Sequence, residues 1–332
     1  MFTKARIAIS RLCQMNCIYC PDGPLVFMEN YDGQEKYCLS FQELLGIIDV
    51  MIRSGVNNIH FTGGEPLMRK DVARIIKETI SMGAAVELNT NGLLITDKKM
   101  SELKEAGLKF LKISLDTPYD RDFFNFTGVD KLKKVLEGIK TAVKFMPVRL
   151  NCVVMKSNFD SIIPLLEMVE EIGVQQIHLL DLTYYSSCVG KKNFWENEFV
   201  YLTKDLMPML EREFGTNFSL MDVFGCKFYK LESSKKGMAV ILKEAEPTMR
   251  SPVCQECPEY CHEGIFTLRL SCGGYLNFCP ANNNRGVDSL SLYRQGLLGE
   301  ALDKYSEIFD QALSTNSFQR FLQINKLNWR SE

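Results

Sequence analysis

Residues 5–20 read ARIAISRLCQMNCIYC, in which a strand pattern runs directly into three cysteines. The first part, ARIAIS, alternates apolar and polar side chains, as half-buried strands do. Cys13, Cys17 and Cys20 follow with C-x3-C-x2-C spacing, and thiolates grouped in this way are ligands for iron–sulfur clusters. A cluster held by three thiolates keeps one iron open for a cofactor or a substrate. Since the loops that follow the strands of an α/β barrel carry its chemistry, the stretch predicts a cluster in the first loop of such a barrel.

The same strand pattern returns along the chain up to about residue 182. Its six occurrences are ARIAIS (5–10), NIHFTG (58–63), AVELNTN (85–91), FLKISLD (110–116), VRLNCVVM (148–155) and QIHLLDL (176–182). Stretches with helical apolar spacing lie between them, around residues 40–54, 70–82, 97–106, 130–145 and 158–172. Because strands that alternate with helices form parallel sheets with right-handed connections, we predict an α/β fold.

The composition is that of an ordinary globular protein. The 332 residues are enough for one barrel-sized domain and a smaller appendage, and 46% of them are hydrophobic. A net charge of -2, from 39 basic and 41 acidic residues, gives no overall field that attracts nucleic acid or an anionic membrane. No secretory signal is recognisable and no apolar run approaches the roughly 20 residues that cross a bilayer. We expect a cytoplasmic protein, whose 12 cysteines then favour metal binding over disulfides.

A second group of cysteines lies in VCQECPEYCHEGIFTLRLSCGGYLNFC, residues 253–279. Cys254, Cys257 and Cys261 have C-x2-C-x3-C spacing, and Cys279 follows at a distance. The segment LRLSCGGYLNFC predicts a β-hairpin with a Gly-Gly turn, which brings Cys279 back toward the first three. On the residues alone, zinc and an iron–sulfur cluster are both suitable occupants.

Polar motifs follow the other predicted strands. FTGGEP (61–66) offers a backbone that can approach a ligand closely at Gly63 and Gly64, and Glu65 can accept from an ammonium group. The same motif is also a common strand-to-helix turn. LNTNG (88–92) and SLD (114–116) place short polar side chains at the barrel edge, although such residues also cap helices. Lys156 can meet an anionic substrate group or remain solvated at the rim.

Together these motifs resemble the radical S-adenosylmethionine (AdoMet) superfamily. The resemblance implies an open partial (β/α)6 TIM-like barrel with a [4Fe–4S] cluster on Cys13, Cys17 and Cys20, and AdoMet bound to its open iron. An electron from that cluster would cleave AdoMet to a 5′-deoxyadenosyl radical. The residues expected to contact AdoMet are Tyr19, Gly63, Gly64, Glu65, Thr90, Asn91, Ser114, Asn151 and Leu180.

The chain resembles most the molybdenum-cofactor GTP 3′,8-cyclase branch of that superfamily, through HFTGGEPLMRKDV, LNTNG, AGLKFLKISLD and RLNCVVMK. Gly274-x4-Cys279 matches an element of auxiliary-cluster domains, so the resemblance favours a second [4Fe–4S] cluster over zinc. Its ligands would be Cys254, Cys257 and Cys279, with Cys261 either the fourth ligand or a bystander. Leu268-Arg269-Leu270 also fits this branch, and we expect Arg269, together with Lys156, to contact the substrate.

Two departures from that branch argue against GTP as the substrate. An arginine of the branch falls at Thr267, and its terminal double glycine is replaced by NWRSE at residues 328–332. We therefore expect hydrogen abstraction from another small molecule, for example a nucleoside or sugar derivative. A peptide-modifying enzyme and a non-catalytic iron–sulfur or zinc-stapled binding protein are the alternatives.

The predicted organisation has four parts. Residues 1–182 form the barrel, 183–253 a covering region with helix around 196–213, 254–298 the cysteine-rich auxiliary domain and 299–332 a helical tail. The expected partners are a small-molecule substrate and a flavodoxin- or ferredoxin-type reductant, with neither nucleic acid nor membrane among them.

Overall fold

A computed structural model describes residues 3–20, 26–27, 38–183, 192–215, 218–223, 226–232, 237–247, 267–277 and 287–313. The strands in these ranges are β1 Lys4–Ser10, β2 Leu12–Cys13, β3 Val26–Phe27, β4 Asn58–Gly63, β5 Ala85–Thr90, β6 Leu111–Ser114, β7 Val148–Val153, β8 Gln176–Leu180, β9 Ser219–Val223, β10 Cys226–Glu232, β11 Ala239–Pro247, β12 Thr267–Leu270, β13 Tyr275–Asn277 and β14 Val287–Asp288.

One open sheet of twelve strands organises the protein, in the order β14-β13-β12-β1-β4-β5-β6-β7-β8-β11-β10-β9. The six predicted strands are β1 and β4 to β8, and they lie side by side in parallel. Parallel strands β12 and β11 extend this row at its two ends. The prediction of an α/β partial barrel is thus confirmed, and the sheet does not close.

Ten α-helices lie in the described ranges, eight of them between strands in the chain and the last two after β14. They are α1 Phe41–Arg53, α2 Val72–Ser81, α3 Asp97–Glu105, α4 Asp120–Thr127, α5 Leu132–Phe145, α6 Ile162–Ile172, α7 Lys192–Glu198, α8 Met207–Phe214, α9 Ser289–Arg294 and α10 Leu298–Leu313. α1 shows why they begin where they do, because Ser40 and Glu43 form a reciprocal capping box at its first turn. In the ranges given above, every helix is too short or too polar to span a bilayer.

The two faces of the sheet have different chemistry, because successive side chains of a strand point to opposite sides. Ala5, Ile7 and Ile9 of β1 are buried in the hydrophobic core that also contains the apolar sides of the helices. The other face carries Arg6 and its neighbours in register, His60 on β4 and Glu87 on β5. We call this polar side the inner face of the sheet. It leads to the carboxyl edge, where the site residues lie.

The structure adds elements that the sequence patterns did not predict. Helix α4 is one of them. Its ends nevertheless carry ordinary helix signals, which are Asp120 and Asp122 in the first turn and Gly128, with a left-handed backbone, after the last residue. Strands β9, β10 and β11 are others, since the stretch from 183 to 253 shows no regular strand repeat in sequence. The predicted β12–β13 hairpin is present, with its turn closed by the Gly274 N–H donating to the Ser271 carbonyl at 3.0 Å.

Candidate cluster and cofactor site

A cavity of ≈ 230 Å³ opens at the carboxyl edge of the parallel strands. Its wall is formed by the three thiols of the amino-terminal cysteine loop and by polar residues that end successive strands. These lining residues include Cys13, Cys17, Cys20, Tyr19, Thr62, Gly63, Gly64, Asn89, Thr90, Asn91, Ser114 and Asp116. The fold therefore assembles at one place most of the residues predicted to bind the cluster and AdoMet.

Cys13 lies where β1 ends and the cysteine loop begins. Its sulfur accepts from the Met15 N–H at 3.5 Å and from Asn91 Nδ2 at 3.7 Å. Asn91 Nδ2 also donates to the side-chain oxygen of Gln14 at 3.1 Å, which fixes the amide against the loop. Burial raises the pKa of the Cys13 thiol, and these N–H donors act in the opposite direction. Such donors stabilise a thiolate, the form that binds metal.

Helix α4 holds the rest of the cysteine loop. The Asn16 N–H donates to the Thr127 carbonyl at 2.8 Å, and the Ile18 N–H donates to the Phe126 carbonyl at 3.0 Å. Both acceptors belong to the last turn of α4, whose carbonyls have no partner within the helix. The loop thus supplies hydrogen-bond donors to the last carbonyls of α4, and these bonds fix the loop backbone between the thiols.

Tyr19 is fixed from a distant part of the sequence. Its hydroxyl donates to Asp116 Oδ2 at 2.5 Å, while Asp116 Oδ1 accepts from the Val153 N–H at 2.8 Å. The carbonyl of Asp116 accepts from Asn158 Nδ2 at 2.9 Å. Burial raises the pKa of Asp116 to about 6, against the lowering effect of its two donors. The sequence predicted Tyr19 as an AdoMet contact and gave no sign of its bond to Asp116.

The Gly63–Gly64 turn packs against the start of the cysteine loop. The Gly64 N–H donates to the Ser10 carbonyl at 2.8 Å, and a Cβ built on Gly64 would lie 2.3 Å from the Leu12 carbonyl oxygen. Gly63 has a φ of +136° and its Cβ would lie 2.4 Å from the Ser10 oxygen. Both glycines line the cavity. The groups that leave no room for a side chain at these positions are the backbone oxygens of Ser10 and Leu12.

Glu65 is completely buried and clamps the next strand end. Its Oε1 accepts from Thr90 Oγ1 at 2.7 Å and from the Leu67 N–H at 2.9 Å, and its Oε2 accepts from the Asn91 N–H at 2.6 Å. Burial raises its pKa to about 7. Its side chain lies behind the cavity wall rather than on it. The expected contact of Glu65 with AdoMet remains a prediction.

The donor set fits an iron–sulfur cluster better than a single ion. Thiolates on one zinc bind at about 2.3 Å and therefore crowd together, whereas a cluster carries its thiolates on separate irons. Among the described residues, no three His, Cys, Asp or Glu side chains are close enough to hold one ion. Burial, followed by the charges of Asp116, Cys20 and Cys13, raises the pKa of Cys17. A metal centre that displaces the proton would stabilise the thiolate form of this buried cysteine.

Below the cavity, the inner face carries a layer of charged groups. Lys112 Nζ lies 2.6 Å from Glu87 Oε2, and His60 Nε2 lies 2.8 Å from Asn89 Oδ1. Burial lowers the pKa of Lys112 to about 8, with Glu87 opposing this and Lys4 and Arg6 adding to it. On β8, burial and the charges of Lys112, Lys243 and Arg149 lower the pKa of His178 to about 3. The layer is therefore rich in cationic groups and contains neutral histidines.

The remaining predicted residues lie elsewhere. Asn151 and Leu180 are on the inner ends of β7 and β8 but do not line the cavity, and Lys156 is exposed at the first turn after β7. Arg269 lies on β12 beside Arg6 of β1. Cys254, Cys257, Cys261 and Cys279 lie outside the described residues. The auxiliary cluster and its ligands thus stay predictions.

Comparisons with known proteins show which family and fold the chain resembles. The family model of the Radical SAM superfamily matches residues 7–169. A probable GTP 3′,8-cyclase of Saccharolobus solfataricus is 29% identical over 328 residues, covering 98% of this chain and 95% of that protein. One from Saccharolobus islandicus is 28% identical with the same coverage. The crystal structure of Streptococcus suis SuiB bound to S-adenosylmethionine has a TM-score of 0.62 at 16% identity, over 91% of this chain and 68% of that one, and this shows a shared fold.

Proposed function

Because residues 7–169 of this chain form a radical SAM domain, we propose that the protein reductively cleaves AdoMet and abstracts hydrogen from an anionic small molecule. The observation that carries the proposal is the cavity in which Cys13, Cys17 and Cys20 face the polar ends of β4, β5 and β6. Three thiols and a ring of backbone and hydroxyl groups are what a cluster with one open iron and a polar cofactor need.

In this proposal, Cys13, Cys17 and Cys20 would hold a [4Fe–4S] cluster, and that cluster would supply the electron for reductive cleavage of bound AdoMet. The protein's own residues position the thiols and the cofactor. Tyr19, Asp116 and α4 hold the loop that carries the thiols, and Asn91 donates to the Cys13 sulfur. Ser114 and Thr90 line the cavity, and the Ser114 hydroxyl can orient the cofactor.

The charge of the inner face supports an anionic substrate. Lys112, Arg149 and Lys243 all act electrostatically on His178, and Lys4 and Arg6 act on Lys112. Of the charged groups that shift the pKa values of His178 and Lys112, these five are cations and only Glu87 is a carboxylate. Cations gathered on one face of a sheet attract phosphate or carboxylate groups. Relatives described as probable GTP 3′,8-cyclases support a phosphorylated nucleoside or sugar, and Thr267 in place of an arginine favours one other than GTP.

A second cluster is also part of the proposal, although its cysteines lie outside the described residues. We place a second [4Fe–4S] cluster on Cys254, Cys257 and Cys279, with Cys261 as its fourth ligand or a bystander. A flavodoxin- or ferredoxin-type protein would deliver the electrons, in the cytoplasm. The match of Gly274-x4-Cys279 to an element of auxiliary-cluster domains supports a cluster over zinc at these cysteines.

Production of 5′-deoxyadenosine tests the central claim. The chain is reconstituted anaerobically with iron and sulfide, then given dithionite and AdoMet, and the nucleoside is measured by chromatography. We expect formation that is lost in Cys17→Ala and retained in Cys152→Ala, because Cys152 is a buried thiol that does not line the cavity. Equal yields from wild type and Cys17→Ala would contradict the assignment.

Iron counting tests the second cluster separately. Two cubane clusters require about eight irons per chain. Cys279→Ala should then lose about half of this iron and keep cleavage of AdoMet without substrate. About four irons together with one zinc would contradict the auxiliary cluster and leave the radical SAM assignment intact.

A further inference from the structure

Two further cysteines meet outside the cavity, where the segment before α1 touches the β12–β13 hairpin. The Leu39 N–H donates to the Cys272 carbonyl at 2.7 Å, so the backbones that carry the two thiols run beside each other. The side chains of Cys38 and Cys272 are hydrogen-bonded to each other. Gly274 makes room for this contact, since a Cβ there would lie 3.0 Å from Leu39 Cδ2. Neither thiol lines the cavity of the cysteine loop.

Two arginines surround this pair of thiols. Arg69 is fixed in place, because its Nη1 donates to the carbonyls of Ile9 and Leu39, each at 3.1 Å, and its Nε donates to Asp71 at 2.8 Å. The backbone of Arg11 hydrogen-bonds to Cys38, and its side chain adds a second positive charge. The hydrogen bond from Cys272, followed by these arginine contacts, lowers the pKa of Cys38 to about 6, although burial opposes them. The same bond, with burial, raises the pKa of Cys272.

The two thiols therefore have unequal roles. Cys38 is half-buried and favours the thiolate, which is the nucleophilic form of cysteine. Cys272 is 6% exposed and donates its proton to that thiolate. A reactive thiolate next to a second, protected thiol is the arrangement found where one cysteine attacks and the other resolves.

We propose that Cys38 and Cys272 form a redox modification site, at which a low-molecular-weight disulfide converts the two thiols into one intramolecular disulfide. The Cys38 thiolate attacks a sulfur of the oxidant, so that a mixed disulfide forms and one thiolate leaves. Cys272 then gives up its proton and attacks the Cys38 sulfur, and the second thiolate leaves. For oxidised glutathione, two protein thiols become one disulfide while one oxidant becomes two molecules of reduced glutathione.

The position of the bond gives it a mechanical consequence. β12 pairs in parallel with β1, and β1 leads into the loop that carries Cys13. A disulfide between residue 38 and the hairpin turn ties β12 and β13 to the segment ahead of α1. Oxidation thus links the β12–β13 hairpin covalently to the segment before α1, close to the cysteine loop.

The test uses the full reconstituted chain under anaerobic conditions with oxidised glutathione. Free thiols are alkylated and the digest is analysed by mass spectrometry. We expect a peptide that joins Cys38 to Cys272 by a bond that a reductant breaks. Before oxidation, Cys38 should alkylate about two- to threefold faster at neutral pH than an ordinary exposed thiol, because its higher thiolate fraction outweighs its lower nucleophilicity. Cys152, which is fully buried, serves as an unreactive internal reference.

Two single variants separate attack from resolution. Cys272→Ala should accumulate glutathione on Cys38, because the resolving thiol is missing. Cys38→Ala should leave Cys272 unmodified, because the buried thiol does not attack. Iron content is measured in parallel, and both variants should bind as much iron as wild type. Absence of the joined peptide in wild type, equal glutathione addition in the two variants, or loss of iron in either variant would overturn the proposal.

Discussion

The bond between Tyr19 and Asp116 is the most direct test of how the fold holds the cysteine loop. Tyr19→Phe removes the hydroxyl that donates to Asp116 Oδ2 at 2.5 Å and leaves the ring in place. Above its pKa of about 6, Asp116 is a carboxylate. A hydrogen bond to a charged group contributes about 1.5–3 kcal/mol, so at about pH 7.5 we expect a loss of about 2 kcal/mol of unfolding free energy.

The pH dependence of this loss follows from Asp116. Below a pH of about 6 the folded protein protonates this carboxyl, whose pKa burial has raised from 3.8. The bond to Tyr19 then joins neutral groups and contributes about 1 kcal/mol. The destabilisation by Tyr19→Phe should therefore be smaller at about pH 5 than at about pH 7.5.

The assay is urea denaturation of the metal-free chain, followed by circular dichroism at both pH values. Tyr119→Phe is the matched control, because Tyr119 is 49% exposed and its variant should change the unfolding free energy by less than about 0.5 kcal/mol. A double-mutant cycle with Asp116→Asn should give a coupling of about 2 kcal/mol. A coupling near zero, or equal stability of Tyr19→Phe and wild type, would refute the reasoning.

Three further predictions concern the same wall of the cavity. Gly64→Ala places a methyl group 2.3 Å from the Leu12 carbonyl oxygen. We therefore expect the unfolding free energy to fall by about 3 kcal/mol, and iron analysis should show that the cysteine loop loses most of its iron. Glu65→Gln should flatten the pH dependence of stability. Burial raises the pKa of Glu65 from 4.5 to about 7, so about 3 kcal/mol of stability is present below 4.5 and lost as the pH rises to about 7. Asn91→Ala removes the donor that lies 3.7 Å from the Cys13 sulfur. It should lower the reduction potential of a cluster reconstituted on the cysteine loop, measured by spectroelectrochemical titration.

Matched variants control each of these changes. Gly299→Ala adds the same methyl group where nothing lies within 4 Å, and it should keep both stability and iron. Glu171→Gln and Asn57→Ala alter exposed residues of the same types. Iron retention in Gly64→Ala, an unchanged pH profile in Glu65→Gln, or a potential in Asn91→Ala equal to that of Asn57→Ala would each contradict the corresponding contact.

Local patterns predicted the elements that depend on local physics. The alternation in ARIAIS and its five counterparts predicted the parallel strands, because burial of one sheet face requires that period. Helical apolar spacing predicted α1, α2, α3, α5 and α6, because each of these helices buries one side in the core. Strand β11 was not predicted, since its place beside β8 depends on a partner far away in sequence.

The sequence by itself determined that a barrel-type sheet carries a three-thiol loop at its first strand end, because strand period and cysteine spacing are written in adjacent residues. Only the tertiary structure decided what holds that loop. Tyr19 meets Asp116, the loop backbone meets the end of α4, and Glu65 clamps Thr90 and Asn91. Cys38 meets Cys272 in the same way. These contacts join residues distant in the chain, and a short polar residue has the same appearance in sequence whether it caps a turn, binds a ligand or reaches across the fold.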